Sequence, residues 1–145
     1  MMNDEQAITQ LVHGLAFALD EADGASIEAL MADCSFTLGD FPPVVGGAAY
    51  RRLIEHGMIL HDGSPRTHHV ITNLVVTVAD DGETATSRSY VSVLQQTDEL
   101  PLQVVLGGRY ADAFDRDERG AWRFAVRLMT IVQRGDTSQH SIHQM

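Results

Sequence analysis

The feature that most constrains this chain is a change of hydrophobic period near Arg66. Upstream, Ile8, Leu11, Val12, Leu15 and Leu19 recur at helical spacing. Downstream, valine, isoleucine and threonine alternate with polar residues as far as Arg134, the period of half-buried strands. Four extended runs are predicted there: Thr67 to Val78, Glu83 to Gln96, Leu102 to Asp115 and Ala121 to Arg134. Asp80-Asp81-Gly82 and Asp117-Glu118-Arg119-Gly120 supply the turns between them. Before Arg66, Asn3 and Gln6 form a capping pattern that opens a helix running to about Ala22. A short helix from Ser26 to Met31, a short strand from Cys34 to Leu38 and a turn over Gly39-Asp40-Phe41-Pro42-Pro43 follow. Gly46-Gly47 then opens a third helix with Tyr50, Leu53 and Ile54 on one side. Helices first and a strand meander second predict one α+β domain, its helices on one face of an antiparallel sheet. Strands this long must bend to wrap the helices, and Gly107-Gly108 marks the expected bulge. Residues 1–134 read as the single domain, and the polar stretch 135–145 as a fraying tail.

Composition narrows the function classes. Twenty acidic against ten basic residues give a formal charge of −10, which argues against nucleic-acid or anionic-membrane partners. No apolar run reaches the length of a membrane span, and MMNDEQAITQ lacks the pattern of a secretory signal. The lone cysteine, Cys34, excludes an internal disulfide framework and fits a reducing cytoplasm as a buried spectator. His68 and His69, adjacent on a strand, point to opposite faces, and no metal-ligand spacing occurs, so no metal or other cofactor is expected. A curved sheet with one open face predicts a homo-oligomer, dimer or trimer.

Three strings, in this order, resemble the NTF2-like superfamily and within it the SnoaL-like family: FALDEADGASIEALM, RTHHVITNLVV and GGRYADAFDRDERGAWRFAVR. The resemblance spans about residues 5–134 and implies a cone: three helices packed in the concave face of a strongly curved sheet, around one pocket. Within that group it resembles two cofactor-independent lyases, lindane dehydrochlorinase and scytalone dehydratase. By the resemblance, the catalytic histidine falls on His69, its aspartate partner on Asp20 and a strand arginine on Arg127. Other polar positions of those enzymes fall on Leu15, Leu19, Leu94 and Ala111, so their substrates are not implied.

Taken without the resemblance, each candidate has two readings. Asp20 sits near the C-terminal end of the first helix, where backbone carbonyls disfavour an anion, so it is either a solvated acid or an acid kept there for function. His69 shares a strand face with Thr67, Ile71 and Asn73, and reads as structural or as a proton carrier. Arg127, alternating with Arg123 and Ala125 and opposite Phe124, is an exposed charge or a pocket group that holds an oxyanion. Tyr110, Phe36, Leu60 and Met31 are pocket-wall candidates, equally explained by core packing. Trp122 reads as an anchor and Asp112 as a turn-proximal acid. An Asp–His pair without nucleophile, metal or phosphate loop points to proton abstraction from carbon. That predicts a lyase of the dehydratase kind or an isomerase, acting on a small, mostly apolar molecule, cyclic ones included. The alternative is a small-ligand-binding domain without catalysis.

Overall fold

The computed structural model describes residues 1–142. Helix α1 (Asp4–Asp20) begins at the expected capping box: Asn3 accepts from the Gln6 amide, and Gln6 reaches back to the Asn3 amide. Helix α2 (Gly24–Leu30) is capped by Asp23, whose carboxylate accepts from the Ser26 amide and hydroxyl. Strand β1 (Ser35–Leu38) and a short β2 (Val44–Val45), unannounced by the sequence, precede α3 (Gly47–Gly57). Helices α2 and α3 meet so closely that a Cβ on Gly47 would run into the Glu28 carbonyl. The long strands are β3 (Thr67–Val78), β4 (Ala85–Gln95), β5 (Gln103–Arg116) and β6 (Trp122–Arg134).

The six strands form one mixed, unclosed sheet in the order β2-β1-β6-β5-β4-β3. The meander is antiparallel throughout, whereas β1 joins β6 in parallel. Helix α1 packs on both β3 and β6. Those strands are separated by β4 and β5, so the sheet must curl around the helix for both to reach it.

Bulges produce the curl and change which residues face inward. The expected irregularity at Gly107/Gly108 is present, and three others were not foreseen. In β3, Asn73 takes a positive φ of 55° and uses up one residue. Asn73 is therefore exposed rather than on the His69 face, and Leu74, Val76 and Val78 continue the inner face. In β6, Val126 lies opposite Ala113 and Phe124 opposite Phe114, which leaves Ala125 as the extra residue. Strict alternation separates Arg127 from Phe124. The bulge instead puts both on the inner face, where the Arg127 guanidinium lies 5.0 Å from the Phe124 ring.

The buried apolar residues fall into two clusters. One joins α1 and α2 to Cys34, Phe36, Tyr50, Phe114, Trp122 and Phe124, and includes Met31. The other, toward the far end of the sheet, is built on Val91, Val93, Leu100, Val105, Leu106 and Tyr110. Ile71 and Met129 pack against both.

The C-terminal segment corrects the expectation of a fraying tail, for residues 135–142; residues 143–145 lie outside the described part. Gly135 donates to the Val105 carbonyl, Ile59 to that of His140, and Ile142 to that of Gly57. Gln95 Nε2 donates to the Gln139 carbonyl at 2.9 Å, and His61 Nε2 lies 2.8 Å from the same oxygen. Backbone groups make most of these ties, so the polar composition of the segment does not disclose them. Among the described residues no helix is long and apolar enough to cross a membrane.

Candidate functional site

Asp20 is the last residue of α1, and three hydrogen bonds offset its unfavourable place at the helix C-terminus. Its Oδ1 accepts from the Thr67 hydroxyl at 2.9 Å and lies 2.6 Å from Nδ1 of His69; its Oδ2 accepts from the His69 amide at 2.9 Å. The amide is available because β3 is an edge strand, so Asp20 also covers part of a sheet edge. Both side chains are largely withdrawn from solvent, with 10% of His69 and 17% of Asp20 exposed. Burial pushes the Asp20 carboxyl up, but the His69 ring, its charge, its amide and the Thr67 hydroxyl together outweigh this and leave the group below its ordinary value. A carboxylate can only accept, so Nδ1 of His69 carries the proton and Nε2 of the neutral ring keeps its lone pair. His68 faces away and is exposed.

Arg127 is fully buried and closed into a bidentate pair with Asp112, Nε to Oδ1 at 2.8 Å and Nη2 to Oδ2 at 3.0 Å. Its guanidinium also lies 3.6 Å from the Tyr110 ring centroid. Of the two readings of Arg127 the exposed charge does not hold, and Asp112 is a core residue paired across the β5–β6 ladder rather than a turn-proximal acid. Burial acts to lower the Arg127 pKa, but the charge and hydrogen bonds of Asp112 win and hold it above its ordinary value. Two of the guanidinium's five N–H donors serve Asp112, and the carboxylate already neutralises its charge, which weakens its claim as the holder of a ligand anion.

The wall candidates divide. Tyr110, Phe36 and Met31 are buried, whereas Leu60 is exposed in the segment between α3 and β3. Tyr50, which the sequence offered only as a helix-face residue, packs edge-on to Phe36 at 5.0 Å. Burial raises the Tyr50 and Tyr110 hydroxyl pKa values and pushes the Cys34 thiol up to about 12, so none of the three serves as an anion. Sequence reasoning also passed over Ser87 and Ser89, which sit on the inner face of β4 opposite Asp112 and Tyr110. Both hydroxyls are enclosed and unpaired. Their signal is a serine at successive inward positions of a strand, where apolar residues belong. An open groove of about 590 Å³ between α1, α2 and Trp122 lies elsewhere, lined by neither Asp20 nor His69. Among the described residues no three His, Cys, Asp or Glu side chains gather as a metal ion would require.

His140, in the C-terminal segment, stands close enough to feel the charges of His69 and Asp20. Burial first, and then His69, push its pKa down to about 4, with Asp20 opposing. The unfolded chain therefore binds a proton on His140 that the folded protein refuses, and stability falls as the pH drops from about 6.5 toward 4. In urea titrations at pH 7 and pH 5, wild type is expected to lose more stability on acidification than His140→Gln. Equal losses would remove His140 from this account.

A SnoaL-like domain model matches residues 1–128. No curated protein sequence matches the chain. Similar solved structures include an NTF2-like protein with a cystatin-like fold from Novosphingobium aromaticivorans (TM-score 0.73, 21% identity, 94% of this chain and 86% of that one). A candidate scytalone dehydratase from the same organism gives a TM-score of 0.74 at 23% identity, over 92% of this chain and 87% of that one. A protein from Catenulispora acidiphila, solved in complex with S-DNPA, gives 0.69 at 21% identity, over 86% and 90%. At these identities the structures speak to the fold, and the family match to descent: the chain belongs to the SnoaL-like domain family.

Proposed function

We propose that the protein is a cofactor-independent lyase of the dehydratase kind, or an isomerase, in which Asp20 and His69 act as an acid–base pair on a small, mostly apolar substrate. The observation that carries this reading is the Asp20–His69 contact itself, which leaves Nε2 of a partly buried imidazole as a base with a partly buried carboxylate behind it. His69 takes a proton from carbon next to a carbonyl and becomes an imidazolium, which Asp20 stabilises. Returning that proton to a departing hydroxyl releases water; returning it to another carbon isomerises the substrate. Oxygen and charge balance in both cases without a metal or redox partner. The family match and the candidate dehydratase among the similar structures are consistent with this class.

The test uses simple ketones. Wild-type protein in D2O is expected to exchange the α-protons of 2-tetralone, followed by NMR, or to convert 3-hydroxycyclohexanone to the conjugated enone, followed by absorbance. Failure with both probes, or exchange that survives His69→Gln at full rate, would sink the reading. The closed Arg127–Asp112 pair favours a second reading, a domain that binds such a molecule without turning it over. Saturable binding of 2-tetralone with no exchange is its expected result.

A further inference from the structure

We propose that His140 is a third polar residue of the Asp20–His69 site and acts there as a neutral hydrogen-bond donor, holding the oxygen of a bound carbonyl while His69 moves the proton. This rests on the reading above and deepens it.

The placement follows from the strand register. Gln95 lies opposite Thr67 in the β3–β4 ladder, and Thr67 donates to Asp20. The same Gln95 side chain donates to the carbonyl of Gln139, the residue before His140, and also to that of Pro65. Met58 bridges to Ser141 on the other side of His140, so the backbone that carries the imidazole is tied down at both neighbours. The segment that carries it lies beyond residues 1–128, the part that the family model matches.

The chemistry follows from what each ring nitrogen meets. Nδ1 is enclosed and has no partner, while Nε2 is neither enclosed nor hydrogen-bonded to a described residue. An orphaned acceptor is tolerated better than an orphaned N–H. The proton therefore belongs on Nε2, where it can be donated. The Oε1 of Gln95, also enclosed and unpaired, completes a small set of polar atoms left open between β4 and the returning segment. The low proton affinity of His140 keeps it a donor rather than a cation at neutral pH. A neutral ring does not repel the imidazolium that forms on His69, as a second cation would. A donor aimed at the developing oxyanion acts where charge appears, the term to which enzymes owe much of their rate.

Three variants and one spectrum decide the matter, with 2-tetralone as probe. His140→Leu fills the same space without a donor and is expected to lower kcat for exchange about 10²-fold with KM little changed. His140→Gln presents an N–H near the position of Nε2 and is expected to recover most of that loss. If Leu and Gln behave alike while His69→Gln abolishes exchange, His140 is only packing: this inference fails and the proposed function stands. If His69→Gln exchanges like wild type, the proposed function fails first. In wild-type protein labelled with ¹⁵N-histidine, His140 is expected to show a neutral ring protonated on Nε2 at pH 7, its shifts moving when 2-tetralone is added. A charged ring, or one indifferent to a probe that the protein exchanges, overturns the inference without any variant.

Discussion

Asp112→Ala is expected to destabilise the protein by about 3–5 kcal/mol, on the order of 10 °C in Tm. The carboxylate lies at the centre of the sheet's inner face, with Arg127 held bidentately against it and neither group reached by solvent. Removing Asp112 leaves a guanidinium that cannot shed its charge, enclosed among Tyr110, Phe124 and Tyr50. Attraction to the Tyr110 face, worth about 2 kcal/mol in such a setting, returns only part of the loss. Arg127→Met is milder, because a buried carboxyl left alone can take up a proton. The double variant Asp112→Leu/Arg127→Met is expected to lie within about 2 kcal/mol of wild type, since apolar groups of similar volume replace a buried pair at little cost. Urea unfolding followed through Trp122 fluorescence measures all three. Additive losses in the double variant would mean that the two residues do not act as one closed unit.

The second large effect falls on rate. Asp20→Asn is expected to lower the exchange or dehydration rate about 10²- to 10⁴-fold, and His69→Gln at least as much. An asparagine offers its NH2 where the imidazole presents Nδ1–H, so the ring turns over to the wrong tautomer and its Nε2 lone pair is lost. The imidazolium also loses the carboxylate that stabilises it. Because the residues act as a unit, the double variant is expected to be little worse than the poorer single one. Asp20 has a structural share as well: its carboxyl sits below its ordinary value, so the stability it adds is full above about pH 4 and drains away as the pH falls through its folded pKa. The stability gap between wild type and Asp20→Asn should therefore narrow in acid. A kinetic loss that tracks this stability gap, vanishing wherever both proteins are folded, would count against a catalytic pair.

Legibility in the sequence followed the range of the interactions. Local signals were strong: the Asn3–Gln6 box, the Asp80-Asp81-Gly82 turn and the change of period at Arg66 located α1 and the four long strands within a few residues. Asp20 was visible as a local rule broken at a helix end, but its partners lie 47 and 49 residues away, and only the family resemblance linked it to His69. Arg127 was separated from Phe124, with its exposure left open, because alternation assumes no extra residue, and Ala125 is one. Without that bulge in view, Asp112 had no partner and read as a turn acid. His140 was hidden for a different reason. The segment bearing it is tied down mostly through its backbone, and backbone hydrogen bonds leave no mark on residue choice.

The parallel seam between β1 and β6 bears on the order in which the molecule can form. Ser35 lies beside Val126, with α3 and three long strands between them in the chain. Contacts of such separation need a long loop closed before they repay it, which places proteins of this topology among the slower folders. The meander is made of neighbouring hairpins and can pair early. The helices, β1 and the returning C-terminal segment can take their places only once that sheet exists. Asp20 and His140 come from pieces that dock on the sheet bearing His69, so a partly folded chain lacks the proposed site until all three are in place.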